Sequence, residues 1–416
     1  MELEKLFELS NLFFSLPVPT HKRYLFDKID RNSKQIAILG QRGVGKTTLL
    51  RHLADDYYCD ADKKLYISAD SIGEALFDIA KEFSSFGGEL LIIDEIHKAS
   101  DFAQEIKKIY DFLNLKLIFS GSSALEIENS KVDLSRRVLF YRLNSLSFRE
   151  FLAIKFDLNF ESLKLEDILS NHQNIATNLK KSFNPLEYFK LYKDFGSYPF
   201  FTEGELGYNL RLNEILNIIL DSEVATIYNV ESNKINTIRK LLHLLCASSP
   251  FELNIQNLAT SSGVSRNTLY SYFYYLQKAD LIEIIGGDFA NKKLLNKPDK
   301  IYLENINLYN ILCSNKNSGS LRESFFVSQV KINNSLKYAK IGDFIVNDKY
   351  LFEIGGKNKD FSQIKDIENS FLALDYIEVG FKNKIPLWLF GFLYWFIFAK
   401  TMNKFQNWKN NKKAFI

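Results

Sequence analysis

Short apolar runs alternate with amphipathic segments through the first third of the chain. The runs cover residues 36–39, 65–67, 90–93 and 115–119. A strand that is apolar throughout is buried on both faces, and helices between such strands are typical of a parallel sheet. We therefore expect an α/β core built on a parallel sheet over residues 1–146.

The pattern changes three times after this core. Residues 147–244 have few strand signals and mostly helical periodicity, broken by a turn at 196–199, which predicts a helical lid or connector. Residues 245–310 predict a helix, a turn, a second helix and a hairpin, the order of a winged helix-turn-helix. Residues 311–416 return to mixed α/β and end in a Lys-rich tail.

Composition is that of a folded protein with several domains. The chain has 416 residues, of which 46% are hydrophobic and 25% charged, and this length exceeds one ordinary core. The net charge of +3 neither requires nor excludes a nucleic-acid partner. An argument for DNA must therefore rest on a local basic patch.

Three features bear on where the protein resides. The apolar stretch 385–399 is about 15 residues long and holds Pro and Gly, whereas a membrane span needs about 20; we expect a buried strand followed by a helix. The first residues do not resemble a signal peptide. The three cysteines suggest neither a metal cluster nor a disulfide framework, which fits a cytoplasmic protein.

Residues 40–47 match the phosphate-binding pattern G-x-x-x-x-G-K-[ST] at every fixed position, between a predicted strand and a predicted helix. Glycines let backbone N–H groups turn inward around phosphate oxygens. Lys46 is expected to reach the β- and γ-phosphates, and the Thr47 hydroxyl to ligate Mg²⁺. The expected nucleotide-binding residues are Gly40, Gln41, Arg42, Gly43, Val44, Gly45, Lys46, Thr47 and Thr48.

Two acidic residues follow the third apolar run. A buried parallel strand would deliver Asp94 to its carboxyl end, where sites of open α/β sheets lie. Asp94 is expected to hold the Mg²⁺ shell, and Glu95 to polarise the water that attacks the γ-phosphate.

The fourth run ends in small polar residues. The Ser120 hydroxyl could orient water near the γ-phosphate, and an equally good alternative is an ordinary helix cap by Ser122 or Ser123. Arg137 could neutralise charge on the transferring phosphoryl group, in its own chain or in a neighbour's. The more common role of such an arginine is a solvated surface residue.

Together these elements resemble an AAA-type ATPase. The segments 121–124, 146–151 and 196–199 further resemble a prokaryotic AAA ATPase family with a C-terminal domain of unknown function. The resemblance implies binding of ATP and Mg²⁺, ATP hydrolysis, a winged helix after the lid, and a C-terminal fold similar to restriction endonucleases. It also places the family's arginine on Arg137. One departure is Ser197, which replaces the second glycine of the family's Gly-Gly-x-Pro pattern.

The predicted winged helix has a thin set of basic and polar side chains for reading DNA: Arg266, Asn267, Ser271 and Lys278. Its many tyrosines favour packing against neighbouring domains. We therefore prefer a structural or partner-binding role for residues 255–304 and keep DNA contact as the alternative.

The last domain resembles the acidic metal site of restriction endonucleases. The matching residues are Glu323, Asp343, Glu353, Lys357 and Gln363. In such sites carboxylates hold Mg²⁺ and a lysine helps to activate water. Lys357 stands two positions late, so we favour an acidic cluster without efficient cleavage.

The leading hypothesis is an ATP-dependent molecular switch, in which hydrolysis moves the lid and the two C-terminal modules use that motion. The alternatives are an ATP-gated, DNA-associated nuclease or defence effector, and a binding module locked by ATP with negligible turnover. The sequence leaves open a DNA partner, a protein partner, the oligomeric state, and whether Arg137 acts within its own chain.

Overall fold

The computed structural model describes residues 3–57, 60–72, 75–121, 134–247, 255–286, 300–314 and 317–394. Five parallel strands form a first sheet in the order β2-β3-β4-β1-β5. Their bounds are Gln35–Leu39 (β1), Lys64–Ser68 (β2), Leu90–Asp94 (β3), Lys116–Gly121 (β4) and Leu139–Arg142 (β5). The four strands predicted from apolar runs are confirmed.

Helices cover both faces of this sheet. They are α1 (Leu3–Ser15), α2 (Lys46–Tyr57), α3 (Leu76–Ser85) and α4 (Phe102–Phe112). Successive side chains of a strand point to opposite faces, and in β1 Ile36 and Ile38 enter one hydrophobic core while Ala37 and Leu39 enter the other. Double coverage is why the strand sequences show no apolar-polar alternation.

Residues after the first sheet form the helical segment that was predicted there. Its α-helices are α5 (Phe148–Phe156), α6 (Leu165–Leu179), α7 (Pro185–Phe195), α8 (Tyr208–Ile218) and α9 (Ser232–Ala247), and α8 runs on through a π-helical turn, Ile219–Val224, into Ala225–Ile227. Ser147 and Glu150 form a reciprocal capping box at the start of α5. Asn184 caps α7, and Pro185 occupies its first turn.

The next elements also lie where the sequence predicts them. They are α10 (Ile255–Ser262), α11 (Arg266–Lys278), the antiparallel pair β6 (Ile282–Ile285) and β7 (Lys300–Leu303), and α12 (Leu308–Leu312). Tyr275 of α11 stacks on Tyr228 with ring centroids 3.8 Å apart. This tyrosine contact ties α11 to the end of the helical segment, and the designation of these elements as a winged helix stays a prediction.

The chain ends in a second, mixed sheet packed against α13 (Ser318–Val330). The sheet order is β12-β11-β10-β9-β8, with β8, β9 and β10 antiparallel and β10, β11 and β12 parallel. The strands are Leu336–Tyr338 (β8), Phe344–Val346 (β9), Tyr350–Gly355 (β10), Ser370–Leu374 (β11) and Lys384–Pro386 (β12). A likeness of this sheet to restriction endonucleases stays a prediction.

The membrane-like stretch is interior through its described part. Strand β12 passes into a 3₁₀-helix at Leu387–Phe392, whose six residues are all buried. A Cβ at Gly391 would lie 2.4 Å from the Cβ of Phe148, so only glycine allows this approach to α5. No helix of the described ranges is both long and apolar enough for a membrane crossing. The Lys-rich tail lies outside the described residues.

The fold brings two of the three cysteines together, which their spacing did not suggest. Cys246 at the end of α9 and Cys313 after α12 lie in contact, with their Cα atoms 5.6 Å apart. The two residues are separated by 67 positions, and they meet because α9 packs against α12. The spacing of the two cysteines in the sequence does not predict that packing. Cys59 lies outside the described residues.

A buried ion pair joins the chain before β1 to the start of the helical segment. Arg23 Nε lies 2.8 Å from Glu150 Oε1, and both side chains are only 5% exposed. Arg23 Nη2 also donates to Asn144 O at 2.7 Å, and Nη1 donates to Val44 O. Burial raises the pKa of the Glu150 carboxyl, but the adjacent Arg23 guanidinium outweighs it and holds that pKa below its usual range.

We predict that Arg23→Met lowers the free energy of unfolding by about 3–5 kcal/mol, because Glu150 keeps a buried negative charge without its partner. Arg211→Met is the matched control, since its ion pair with Glu203 is 39% and 65% exposed and such pairs contribute under about 1 kcal/mol. Urea unfolding followed by circular dichroism measures both. Equal, small losses in the two variants would contradict a structural role for the Arg23 pair.

Candidate nucleotide site

The predicted phosphate-binding loop joins the carboxyl end of β1, which lies between β4 and β5, to α2. Gly43 and Gly45 have φ angles of +83° and +96°, a backbone region that side chains with a Cβ rarely enter. A Cβ at Gly40 would lie 2.4 Å from Leu143 O. The three glycines are therefore needed for the turn and for the close approach of residue 143.

Lys46 folds back onto its own loop. Its ammonium donates to Gly40 O and Gln41 O, both at 2.9 Å, and the side chain is buried. Burial lowers the pKa of Lys46 to about 8, although the charges of Asp94, Glu223 and Glu95 raise it in part. A group with this pKa gains strongly from a negatively charged ligand.

The carboxylate of Asp94, the last residue of β3, accepts hydrogen bonds from hydroxyls of α2, β2 and β4. Thr47 Oγ1 donates to Asp94 Oδ2 at 2.6 Å, Tyr66 OH donates to the same oxygen at 3.2 Å, and Ser120 donates to Oδ1. A hydroxyl and a carboxylate are the oxygen donors that Mg²⁺ prefers. Thr47 and Asp94 thus fit the predicted magnesium site in donor chemistry and in position.

Glu95 is strained and doubly paired. Its backbone is left-handed, with φ 54° and ψ 44°, which is costly outside glycine and is typical of functional positions. Its carboxylate lies 3.2 Å from Arg42 Nη2 and 2.5 Å from Lys98 Nζ. Burial raises the pKa of Glu95, but Lys98 and Arg42 outweigh it and lower that pKa overall. The Glu95 carboxylate is therefore ionised, and it is paired with the side chains of Arg42 and Lys98.

Of the two remaining predicted catalytic residues, Ser120 lies at the site and Arg137 does not. Ser120 is fully buried beside Asp94 and accepts from Glu95 N at 3.1 Å, so its hydroxyl orients the acidic pair. Arg137 is not brought to the loop: it holds Asp111 of α4 through two 3.0 Å bonds, before β5 begins. The contact of Arg137 with Asp111 lies at the edge of the sheet where the parallel strands begin, opposite the phosphate-binding loop. The alternative caps Ser122 and Ser123 lie outside the described residues.

The helical segment sits directly on the loop, and we call this part, residues 147–247, the lid. A Cβ at Gly43 would meet Ile215 Cδ1 at 2.9 Å and Phe200 Cε1 at 3.3 Å, and one at Gly45 would meet Pro199 Cγ at 3.5 Å. Lid residue Glu223 also lies 3.6 Å from Arg42 Nε. The family pattern at 196–199 included Pro199, but no sequence motif marked Phe200, Ile215 or Glu223, because they meet the loop only in the folded chain.

The residues predicted for DNA contact are spread over α11. Arg266 and Asn267 are exposed at its start, whereas Ser271 and Lys278 are half-buried. Arg266 Nε donates to Gln256 of α10 at 2.7 Å. Of the four residues predicted for DNA contact, only the two at the start of α11 are therefore exposed.

The predicted acidic cluster assembles in part. Glu323, Asp343 and Glu353 are all buried in the last domain. Lys357 and Gln363 are exposed, and the lysine paired with Glu353 is Lys359, at 2.5 Å. The prediction of Lys357 is thus corrected: the chain leaves the strand at Gly355 and turns, so that Lys359 reaches back over it. A Cβ at Gly355 would lie 2.5 Å from the Cβ of Lys359.

Two family comparisons bear on these domains. Residues 32–152 match the AAA domain family, and residues 187–319 match a domain of unknown function, DUF8612. The chain is 30% identical over 295 residues to the uncharacterized protein MJ1637 of Methanocaldococcus jannaschii, covering 66% of this chain and 62% of that relative. The chain therefore spans less than two thirds of this relative's length.

Solved structures resemble the chain only loosely. The Walker-type ATPase PABY2304 of Pyrococcus abyssi covers 72% of this chain and 99% of its own at 12% identity and a TM-score of 0.39. The ORC1 protein of Aeropyrum pernix in complex with DNA covers 78% and 90% at 13% identity and a TM-score of 0.28. AMPPCP-bound DnaA from Aquifex aeolicus covers 61% and 84% at 15% identity and a TM-score of 0.25.

We predict that one lysine resonance in ¹³C-lysine NMR spectra titrates near pH 8 and is missing in Lys46→Met, because burial lowers the pKa of Lys46 to about 8. Mg²⁺ with a non-hydrolysable ATP analogue should raise this pKa by more than about one unit, since phosphate charge favours the ammonium form. A Lys46 resonance that titrates near 10.4, the ordinary lysine value, would refute the prediction.

Proposed function

We propose that this chain, whose residues 32–152 form an AAA-type P-loop ATPase domain, binds ATP with Mg²⁺ and hydrolyses it as a molecular switch. The observation that carries the proposal is the contact of a complete phosphate-binding loop with Asp94 through Thr47, at 2.6 Å. Loop, metal donors and acidic pair lie at one edge of the parallel sheet, where ligands of such sheets bind.

The residues of this chain divide the work of hydrolysis. Backbone N–H groups of residues 40–47 and the Lys46 ammonium would hold phosphate oxygens. Thr47 and Asp94 would hold Mg²⁺, which supplies charge neutralisation at the phosphates. Glu95 would orient the attacking water once its carboxylate leaves Arg42 and Lys98. We infer that the doubly paired Glu95 is a resting arrangement, and that nucleotide shifts Arg42 toward phosphate.

A buried hydrogen-bond network supports the switch by joining the loop to the rest of the chain. Tyr198 OH donates to Gln41 Oε1 and accepts from Asn305 Nδ2 at 2.8 Å. Gln41 Nε2 donates to the carbonyl of Asp280, after α11, at 3.1 Å. Gln41 thus contacts the lid and Asp280 after the end of α11 directly, and the Tyr198 hydroxyl extends the network to the segment after β7.

The network continues through Asn307. Its side-chain oxygen accepts from Ser197 N and Tyr208 OH, both at 2.7 Å, and its amide donates to Lys193 O at 2.8 Å. Buried polar groups that satisfy one another in this way resist independent movement. We propose that these bonds carry motion of the loop to the last two modules of the chain.

We predict that Glu95→Gln lowers ATP turnover by about 10²–10⁴-fold while nucleotide binding persists, and that Lys46→Ala loses nucleotide binding as well. Glu82→Gln, an exposed glutamate of α3, is the control and should keep wild-type turnover. Release of inorganic phosphate and fluorescence of a labelled ATP analogue measure the two properties. If wild type, Lys46→Ala and Glu95→Gln all show the same background rate, the chain is not an ATPase.

For coupling, we predict that a non-hydrolysable ATP analogue changes amide hydrogen exchange in residues 300–314 of the wild type, and that Tyr198→Phe suppresses this change. The variant leaves Gln41 and Asn305 without their shared hydroxyl, at a cost of about 1–3 kcal/mol. Tyr376→Phe is the control, because that ring is 54% exposed. Nucleotide that binds the wild type tightly and leaves exchange in 300–314 unaltered would sink the coupling proposal.

A further inference from the structure

The acidic cluster of the last domain contains three buried carboxylates. Glu323 lies on α13, Asp343 immediately before β9, and Glu353 on β10, and they are 4%, 3% and 2% exposed. The paired residues of β9 and β10 end at Phe344 and Phe352, and beyond them Asp343 N donates to Phe352 O at 2.8 Å while Asp343 Oδ2 accepts from Ile354 N at 2.8 Å. The Asp343 carboxylate therefore lies against the backbone of β10, next to the position of Glu353. Charges of one sign this close and this deep need a cation.

A lysine from another module supplies that cation. Lys300 is the first residue of β7, and its ammonium lies 3.0 Å from Glu323 Oε2 and 2.9 Å from Asp343 Oδ1. The side chain is 1% exposed. Tyr302, also of β7, donates its hydroxyl to the same oxygen of Glu323. Strand β7 therefore brings a positive charge to Glu323 and Asp343, and a hydrogen-bond donor to Glu323.

The third carboxylate is only half satisfied. Glu353 Oε1 pairs with Lys359 at 2.5 Å, whereas Glu353 Oε2 is buried and has no hydrogen-bond partner among the described residues. An unpartnered buried oxygen is costly, and Glu353 stands on the same strand, β10, whose Ile354 N donates to Asp343 Oδ2 at 2.8 Å.

We propose that Lys300 is a built-in cation that keeps a divalent-cation site of the last domain closed, and that withdrawal of β7 opens this site to Mg²⁺ or Mn²⁺. Oxygen atoms of Glu323 and Asp343 would exchange the ammonium for the metal, and the free oxygen of Glu353 would complete the set. Among the described residues, no three acidic, His or Cys side chains are placed together to hold a metal, so Glu353 would have to join Glu323 and Asp343 when the site opens.

The same strand leads directly into the network at the nucleotide loop. Lys300 and Tyr302 are followed by Asn305, whose amide donates to Tyr198 OH at 2.8 Å, and Tyr198 contacts Gln41. Asn305 of the loop network thus follows Lys300 of the acidic cluster by only five positions. Opening by nucleotide rests on the proposed function, whereas the existence of the closed site does not.

The test measures Mn²⁺ binding to the nucleotide-free full chain by electron paramagnetic resonance. Lys300→Met removes the charge and keeps the stem, and we expect it to bind one additional Mn²⁺ at least about 10-fold more tightly than the wild type. The double variant Lys300→Met with Asp343→Asn should lose that ion. Lys340→Met, which removes an exposed lysine of the same domain, should match the wild type.

Three results would overturn the proposal. Lys300→Met binds no more Mn²⁺ than the wild type; or its additional ion survives Asp343→Asn; or both Lys300→Met and Lys300→Gln stay unfolded with and without Mn²⁺, which would make Lys300 a structural counter-ion only. A variant that folds only with Mn²⁺ supports the site. Because no nucleotide is present, an absent ATPase activity would leave these outcomes unchanged, so the two proposals fail separately.

Discussion

The hydroxyl of Tyr198 is the point on which the arrangement of the modules depends. It is fully buried, and it satisfies Gln41 of the loop and Asn305 of the segment after β7 at once. Burial raises the pKa of this phenol well above its ordinary value, so the group stays a neutral donor and acceptor. A buried hydroxyl without partners is costly. Displacement of Tyr198 therefore removes a hydrogen-bond partner from Gln41 and from Asn305 at once.

This dependence explains why the loop is both covered and connected. Phe200 and Ile215 of the lid occupy the space beside Gly43 where a Cβ would lie, while Arg42 is shared between Glu95 and the lid residue Glu223. A ligand with phosphate charges at the loop would compete with both carboxylates for Arg42. Arg42 is therefore the side chain through which such a ligand would act on both the lid and Glu95.

Much of the first domain follows from the sequence, because its signals are local. A strand buried on both faces must be apolar throughout, which makes β1, β3 and β4 predictable from the sequence. The loop glycines must accept positive φ, which makes residues 40–47 predictable as well. Strand β5 has exposed Leu139 and Arg142, lies at the sheet edge and was missed. The motif predicted Asp94 near the loop, and Thr47 Oγ1 donates to Asp94 Oδ2 at 2.6 Å, because the strands of a parallel sheet end at one edge.

The failures all concern partners that only tertiary packing brings together. Arg137 precedes β5, and the direction of a parallel strand puts that point at the edge far from the loop. Lys357 alternates correctly along an extended strand, but the chain turns at Gly355 and Lys359 takes the contact with Glu353 instead. Cys246 and Cys313 meet through helices whose pairing no spacing encodes.

Strand β7 shows what such long-range contacts add to a motif. Its side chains neutralise two buried carboxylates at one end, and the residues after it complete the Tyr198 network at the other. An unpaired charge or polar group is costly in the dry interior of either cluster. A displacement of β7 large enough to free Lys300 would therefore also strain the bonds at Asn305, and the switch we propose requires the two clusters to rearrange together.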